Sequence, residues 1–330
     1  MYKGFYRLQR NPFEITPDPH FLFPTRRHNE ALAALYYGVR RHKGFVVMTG
    51  EVGTGKTLLV RCLLQLMNHS HVAYAYVFNS RLSPLEFLQY IAGDLGLASS
   101  GKNKSELLLE LGTYLIERHQ KKLTTVLVVD EAHHLSADVL EEIRLLTNLE
   151  TAQEKLLQIL LVGQPELDEK LDSMDLRQLK QRIALRSHLE PLDRQETAAY
   201  IQRRLQLAGA DAEVASLFSG EASSSVFRHS RGIPRLINTI CENALIVAYA
   251  RQARTVSPDI IDEVAMDFRL GIVRTSKTRP ADETHDTEAL SAVKTLLQLH
   301  EYLQAARSGE RQVESAVAIA TGVGKNEPYI

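Results

Sequence analysis

The chain has 330 residues, of which 44% are hydrophobic and 24% charged, and its formal net charge is −1. This profile is typical of a globular protein of about two domains, and it gives no overall basic field for DNA or an anionic membrane. No apolar run of about 18 residues predicts a membrane-spanning helix, and the N-terminus lacks the apolar core of a secretory signal. We therefore expect a cytoplasmic protein, with Cys62 and Cys241 as buried thiols rather than a disulfide.

The first 27 residues are rich in proline and aromatic side chains. Four prolines exclude a regular helix from the run NPFEITPDPHFLFP. The same run holds five apolar side chains, so we expect it to be ordered against the next domain: Phe13, Ile15, Phe21, Leu22 and Phe23. Helical spacing of apolar residues then predicts a helix over 28–42.

Strands and helices alternate from residue 44 onward. Apolar runs predict five strands, at 44–50, 71–79, 124–130, 156–163 and, shorter, Ser187–Leu189. Helices are predicted at 56–67, from the cap Ser83 to 96, from the cap Ser105 to 119, and at 137–149. Apolar strands that alternate with helices indicate a parallel sheet covered on both faces.

The pattern changes after Pro191, where strand runs are replaced by helical periodicity. Helices are predicted at 194–208, 220–229, 234–251 and 258–269, the first behind a capping box of Asp193 and Glu196. Residues 271–287 have the composition of a linker, and a last helix is predicted at 288–306. We therefore divide the chain into an N-terminal segment and helix (1–43), a sheet core (44–191), a helical domain (192–270) and a linker with a C-terminal helix and tail (271–330).

A phosphate-binding loop is predicted at GEVGTGKT, residues 50–57, which fits G-x-x-x-x-G-K-[ST] between a strand and a helix. The glycines allow the backbone to approach phosphates, and the helix presents its positive end to them. Lys56 is predicted to contact phosphate oxygens and Thr57 to bind Mg²⁺. The predicted nucleotide-binding residues are Gly50, Glu51, Val52, Gly53, Thr54, Gly55, Lys56, Thr57 and Leu58.

An acidic pair ends the strand in VLVVDEAHHL, residues 126–135. Asp130 is predicted to lie on the Mg²⁺ side of the site, and Glu131 to polarise the attacking water as a general base. The sequence therefore predicts ATP and Mg²⁺ as ligands, with Thr57 and Asp130 holding the metal.

The letters D-E-A-H also name a helicase family, but such a helicase needs a second sheet domain, and only about 80 helical residues and a tail follow the core.

His133 and His134 do not favour a metal site. Adjacent side chains are expected to point to different sides, and no partner stands at zinc spacing.

With this loop, this acidic pair and the helices after the core, the chain resembles an AAA+ ATPase. Such a protein has a P-loop (ASCE) fold, in which a parallel five-stranded sheet sandwiched by helices is followed by a small all-helical lid. The resemblance implies that Gln164, at the end of LLQILLVGQ, senses the γ-phosphate. It implies that Arg182 reaches the neighbouring subunit's site as an arginine finger, with Arg177 and Arg186 as alternatives. It implies that Arg235, in SRGIPRL, is the second sensor of the lid.

The block N-P-F-x-x-T-P-D-P makes the resemblance more specific. Residues 1–270 look like the general secretion pathway protein A type of bacterial ATPase, in which the N-terminal segment is expected against the nucleotide base. This implies ATP hydrolysis, a ring or filament of identical subunits, and an unknown partner in secretion, pilus or polysaccharide assembly, with attachment to the inner membrane only through that partner. Members often continue into a membrane helix and a peptidoglycan-binding domain. Neither pattern follows here, so a direct role in the cell wall is not expected.

Two other functions remain open. Transposition target-selection ATPases and replication initiators have similar cores and lids. A basic cluster could serve such a DNA-associated role, although a solvated face is the favoured interpretation: Arg26, Arg27, Arg40, Arg41 and Lys43. A nucleotide-dependent scaffold with little turnover is the third possibility, and Glu131 argues against it.

Overall fold

The computed structural model of the protein describes residues 2–67, 71–78, 81–210 and 217–270. Within these residues, one five-stranded parallel sheet has the order β2-β3-β4-β1-β5. The strands are β1 (Phe45–Gly50), β2 (Val72–Val77), β3 (Thr124–Val129), β4 (Leu157–Gly163) and β5 (Leu185–Leu189). The parallel five-stranded sheet predicted from the apolar runs is confirmed.

Helices cover both faces of this sheet and form the region after it. They are α1 (Tyr2–Phe5), α2 (Arg26–Arg40), α3 (Lys56–Leu66), α4 (Pro84–Asp94), α5 (Lys104–Gln120), α6 (Ala137–Leu146), α7 (Glu166–Leu171), α8 (Arg177–Lys180), α9 (Arg194–Leu207), α10 (Gly220–Ser230), α11 (Pro234–Ala250) and α12 (Pro258–Asp267). Among the described residues, no helix is both long enough and apolar enough to cross a bilayer. The helix predicted at 288–306 lies outside the described residues.

One predicted helix start is wrong. The cap of α5 is Asn103 rather than Ser105, and Glu106 completes a capping box with Asn103. Both residue types are good caps, but only Asn103 lies three residues before a glutamate that can return to its backbone N–H. The boxes of Ser83 with Glu86 and of Asp193 with Glu196 are present.

Alternate residues of each strand face opposite layers of helices. On one side, Phe45 and Val47 of β1 pack in a cluster with α4, α5 and α6. On the other side, Val46 and Met48 pack with α2 and α3. All four side chains are essentially fully buried, as expected for a central strand of a sheet sandwiched by helices.

The helices α9–α12 have a core of their own, and the first residues of the chain belong to it. Phe13 is fully buried and meets the ring of Phe218 edge-on, with centroids 5.8 Å apart. Tyr2 and Tyr6 are buried in the same cluster, and the Tyr6 hydroxyl donates to the Ala253 carbonyl over 2.9 Å. Residues 2–13 therefore pack with the helical region, whereas α2, farther along the N-terminal segment, packs on the sheet.

Where the chain passes from the sheet core into the helical region, the backbone of Gly232 packs closely against the backbone of Leu192. The Leu192 N–H donates to the Gly232 carbonyl over 2.9 Å. Gly232 has φ +76°, and a Cβ built on it would lie 1.8 Å from the Leu192 carbonyl oxygen. A side chain at this position therefore requires the two backbone segments to separate.

We expect Gly232→Ala to lower the free energy of unfolding by several kcal/mol, because it adds both a steric clash and left-handed strain. Gly101→Ala is the matched control, since Gly101 has the same φ of +76° with nothing within 4 Å of an added Cβ. Urea unfolding of both variants measures the difference. Equal losses of stability would show that the junction tolerates a side chain.

Candidate nucleotide-binding site

The loop of residues 50–55 runs from the end of β1 to the start of α3 and is enclosed from two sides. A Cβ on Gly50 would lie 2.6 Å from the Leu189 carbonyl oxygen at the end of β5. A Cβ on Gly53, which has φ +81°, would lie 2.7 Å from the Arg235 Cβ in the first turn of α11. Gly55 has φ +103° and precedes α3 as its cap. These glycines let β5 and α11 approach the loop closely.

Lys56 folds back over this loop. Its Nζ donates to the Gly50 carbonyl over 2.8 Å and to the Glu51 carbonyl over 2.9 Å, and the residue is only 6% exposed. Burial lowers the Lys56 pKa, and the carboxylates of Glu131 and Asp130 oppose that shift. A buried ammonium with two carbonyl partners keeps one of its three N–H donors for another acceptor.

Asp130 follows β3 and is held from three directions. Its Oδ2 accepts hydrogen bonds from the Thr57 and Tyr76 hydroxyls, each over 2.9 Å, and its Oδ1 accepts from the Glu131 N–H over 2.9 Å. Burial and the adjacent Asp130 charge raise the Tyr76 pKa. The predicted metal-binding pair, Thr57 and Asp130, is therefore in direct contact, with hydroxyl and carboxylate oxygens of the kind that Mg²⁺ prefers.

Tyr76 was missed by the sequence analysis. It lies on β2, next to β3 in the sheet, and its contact with Asp130 joins residues 54 positions apart. The only local signal was its position in the strand run, which does not identify a partner.

Glu131 has left-handed backbone geometry, with φ 51° and ψ 37°. A residue with a Cβ adopts this conformation at a cost of order 1–3 kcal/mol, and such residues concentrate at functional sites. The Glu131 side chain is 47% exposed, and its Oε2 lies 3.5 Å from Gln164 Nε2 and 3.5 Å from His133 Nδ1. The structure therefore brings Glu131 and Gln164 together beside the loop.

His133 has a different setting from the one expected. Its ring centroid lies 3.9 Å from that of His134, so the expectation that the two side chains point to different sides is wrong. The 3₁₀ turn at Ala132–His134 brings the rings together. Burial, followed by the neighbouring His134, lowers the His133 pKa. His133 Nδ1 accepts a hydrogen bond from the Gln164 N–H over 3.4 Å, so the neutral ring is bound to the backbone beside Glu131.

A cavity of about 410 Å³ lies between the loop and the helical region. It is lined by loop residues, by residues 14–18, by Glu131, and by Tyr200, Arg204, Arg235 and Asn238. The exposed side chains of Ile15 and Val52 give it an apolar part. A cavity with an apolar part and a few polar groups suits a planar ligand with a polar tail.

Residues 14–18 are held in place over the cavity by backbone contacts. Arg204 and Asn238 donate to the Glu14 carbonyl over 3.1 and 3.3 Å, and Arg61 of α3 donates to the Pro17 carbonyl over 2.9 Å. Arg204 is buried, which lowers its pKa, and its guanidinium stacks over the Phe21 ring at 4.6 Å. Arg204 and Asn238 were not predicted from the sequence, because their neighbours along the chain do not indicate their partners.

His28 connects α2 to the loop and was also missed. Thr25 caps α2 by accepting from the His28 N–H, and the Thr25 hydroxyl lies 2.6 Å from His28 Nδ1. His28 Nε2 lies 3.2 Å from the Thr54 carbonyl. Burial lowers the His28 pKa, so a neutral ring with Nε2–H toward Thr54 fits this contact.

The arginines singled out from the sequence occupy different places. Arg235 lines the cavity, and its N–H donates to the Gly53 carbonyl over 3.2 Å. Arg186 is ion-paired with Asp168 at 3.0 Å. Arg177 and Arg182 do not line the cavity. The hydrogen bond and charge of Lys155 lower the Glu150 pKa, with a smaller contribution from the Arg182 charge. Of these four arginines, Arg235 alone lines the cavity of its own chain.

Comparison with known proteins agrees with this geometry. Residues 39–171 match the family model described as AAA domain. The ORC2 protein of Aeropyrum pernix, solved with ADPNP and ADP, has a TM-score of 0.60 at 19% identity, over 85% of this chain and 74% of that chain. Cdc6p from Pyrobaculum aerophilum has a TM-score of 0.59 at 18% identity, over 76% and 70%. At these identities the two structures show a shared fold.

Two sequence relatives are more specific. The Mu-like prophage FluMu DNA transposition protein B of Haemophilus influenzae is 28% identical over 158 residues, 46% of this chain and 51% of that protein. General secretion pathway protein A of Aeromonas hydrophila is 45% identical over 257 residues, 78% of this chain and 46% of that protein. The chain thus spans about half the length of these relatives. It carries an AAA domain, and over most of its own length it is a relative of general secretion pathway protein A.

Proposed function

We propose that this protein binds ATP with Mg²⁺ in the 410 Å³ cavity and hydrolyses it. The observation that carries the proposal is the convergence of Lys56, the Thr57–Asp130 pair and Glu131 on one loop beside that cavity. Arg204 adds support, because its enclosed Nε has no hydrogen-bond partner among the described residues and it lines the same cavity.

Each residue has a role that follows from its position. Lys56 would exchange loop carbonyls for phosphate oxygens, and Thr57 and Asp130 would hold Mg²⁺, which neutralises phosphate charge when bound. Glu131 would orient and deprotonate the attacking water, with Gln164 beside its carboxylate. Arg235 would bring positive charge from the first turn of α11, so that lid position depends on the nucleotide.

We expect Lys56→Ala to weaken ATP binding by at least about tenfold, because a charge-assisted contact is lost. Glu131→Gln should keep the affinity and lower turnover by about 10²–10⁴-fold, because it removes only the base. Nucleotide titration and single-turnover hydrolysis separate the two effects. Exposed Lys43→Ala is the control for a lost lysine charge. Unchanged affinity in Lys56→Ala would contradict the loop assignment.

We also propose that the protein hydrolyses ATP as a homo-oligomer, in a ring or filament, with Arg182 acting on the neighbouring subunit's nucleotide. Arg182 does not line the cavity of its own chain, and Arg186 is engaged by Asp168. Both observations favour Arg182 over Arg186 as the residue offered to a neighbour.

Arg182→Ala should lower turnover by on the order of 10³-fold with little change in nucleotide affinity, since a finger acts on the transition state. Specific activity of the unmodified protein should rise with its concentration. Mixing Arg182→Ala with Glu131→Gln subunits should restore part of the activity, because some interfaces then pair an intact Arg182 with an intact Glu131. Arg177→Ala and Arg186→Ala serve as controls. Mixed oligomers without restored activity in any pairing would exclude hydrolysis across the interface.

We propose that ATP turnover drives or regulates assembly of a bacterial envelope machine, for secretion, pili or polysaccharide export. The 45% identity to general secretion pathway protein A supports this role. On this proposal the protein acts in the cytoplasm, held at the inner membrane only through its partner.

A DNA-associated role is the second candidate, and the similarity to a DNA transposition protein B favours it. The basic cluster of residues 26–43 is partly neutralised, because Arg26 pairs with Glu30 at 2.8 Å and Arg27 with Glu190 at 2.6 Å. The ATPase rate with and without double-stranded DNA separates the candidates. Stimulation that Arg40→Ala/Arg41→Ala removes would support the DNA role, and an unchanged rate would support the envelope role.

We further propose that residues 271–330 are dispensable for nucleotide binding, since residues from the described part of the chain, from Glu14 to Asn238, already enclose the cavity. A protein truncated after Leu270 should bind ATP with the affinity of the full chain, as measured by nucleotide titration. Loss of binding in a truncated protein that still unfolds cooperatively would show that the boundary is misplaced.

A further inference from the structure

Three potential metal ligands meet at the end of the sheet opposite the phosphate loop. His42 lies between α2 and β1, His119 lies in the last turn of α5, and Glu154 lies in the turn before β4. These positions are at the amino ends of the strands, whereas the loop follows the carboxyl end of β1. The length of a six-residue strand, about 20 Å, separates the two locations.

The ligand atoms are close enough to share one ion. His42 Nδ1 lies 3.2 Å and His119 Nδ1 3.9 Å from Glu154 Oε2. One ligand atom from each residue lies within 4.8 Å of the other two. Bonds of about 2.0–2.2 Å in a tetrahedral zinc site place neighbouring ligand atoms about 3.3–3.5 Å apart. A small movement of the His119 side chain therefore completes a three-ligand set.

His42 Nδ1 is the atom that most requires a partner. It is enclosed and has no hydrogen-bond partner within the described parts of the chain, although Glu154 Oε2 is only 3.2 Å away. If His42 is neutral with its proton on Nε2, the lone pair of Nδ1 faces a lone pair of Glu154 Oε2. This arrangement is favourable only with a cation between the two atoms. His42 Nε2 lies 3.5 Å from the Thr124 hydroxyl, and the tautomer of His42 decides which of the two groups donates.

The backbone around the cluster also suits a cation. His42 follows the C-terminal end of α2, and His119 lies at that of α5, where helices carry partial negative charge. His42 has φ 50°, a conformation that residues with a Cβ rarely adopt. The turn that carries Glu154 is fixed by its N–H, which donates to the Thr151 hydroxyl over 3.0 Å.

We propose that His42, His119 and Glu154 form a binding site for a divalent transition metal of the zinc class, with an open position for water. The two imidazoles and one carboxylate match the ligand chemistry of Zn²⁺ and exclude a preference for Mg²⁺, which takes oxygen ligands. The metal would join the C-terminal ends of α2 and α5 to the turn before β4. This site is independent of the proposed ATP hydrolysis.

Co²⁺ titration of nucleotide-free, full-length protein tests the site, because tetrahedral Co²⁺ absorbs strongly in the visible range. We expect one equivalent to bind, to be displaced by Zn²⁺, and to raise the midpoint of thermal unfolding. His119→Ala and Glu154→Gln should each weaken binding at least 100-fold. Both side chains are partly exposed, so the variants should retain the unfolding midpoint of the unmodified protein in EDTA.

Two controls address other sites. His229→Ala removes a histidine that pairs with Asp262 in the helical region, and Asp130→Asn alters the nucleotide site. Both should keep the tetrahedral Co²⁺ signal. Absence of the signal in the unmodified protein, or its persistence in the His119→Ala/Glu154→Gln double variant, would overturn the proposal and leave a proton-bridged histidine–glutamate cluster.

Discussion

The close approach of Gly53 to the first turn of α11 is the constraint on which the site depends. The Arg235 N–H donates to the Gly53 carbonyl, and the absence of a Cβ on Gly53 leaves room for the Arg235 Cβ. One loop is thereby bound to the sheet through β1 and to the helical region through α11. Movement of the loop at Gly53 would alter its contact with α11.

A second connection runs through the N-terminal segment. Tyr2, Tyr6, Leu8 and Phe13 are buried with α9–α12, and residues 14–18 line the cavity. Farther along, α2 packs on the sheet and contacts the loop through His28. The segment thus spans both sides of the cavity. A ligand held there would contact the sheet core, the helical region and the segment that joins them.

The features that could be predicted from sequence are local ones. Apolar runs predicted all five strands, and the loop motif predicted that Lys56 and Thr57 lie at the loop after β1, because spacing along the chain fixes their positions. Asp130 and Glu131 followed from their position at a strand end. The short helices α7 and α8 were not predicted, since six and four residues give too little periodicity.

The features that escaped prediction depend on distant partners. The hydrogen bond from Tyr76 to Asp130 depends on the pairing of two strands. The hydrogen bond from Arg204 to Glu14 joins residues 190 positions apart, and the ring contact of Phe13 with Phe218 also joins distant parts of the chain. A side chain's own neighbours in sequence do not specify such contacts. For the same reason, the sequence indicated that residues 1–27 are ordered but not that residues 2–13 complete the core of α9–α12.

That shared core has a consequence for synthesis of the chain. Tyr2, Tyr6 and Phe13 leave the ribosome about 250 residues before Ile261 and Val264, which belong to the same cluster. At about 5–20 residues per second, the aromatic side chains wait roughly 12–50 s for their packing partners. The sheet core between them can fold in that interval. During this time the nascent chain exposes apolar side chains that are buried in the folded protein.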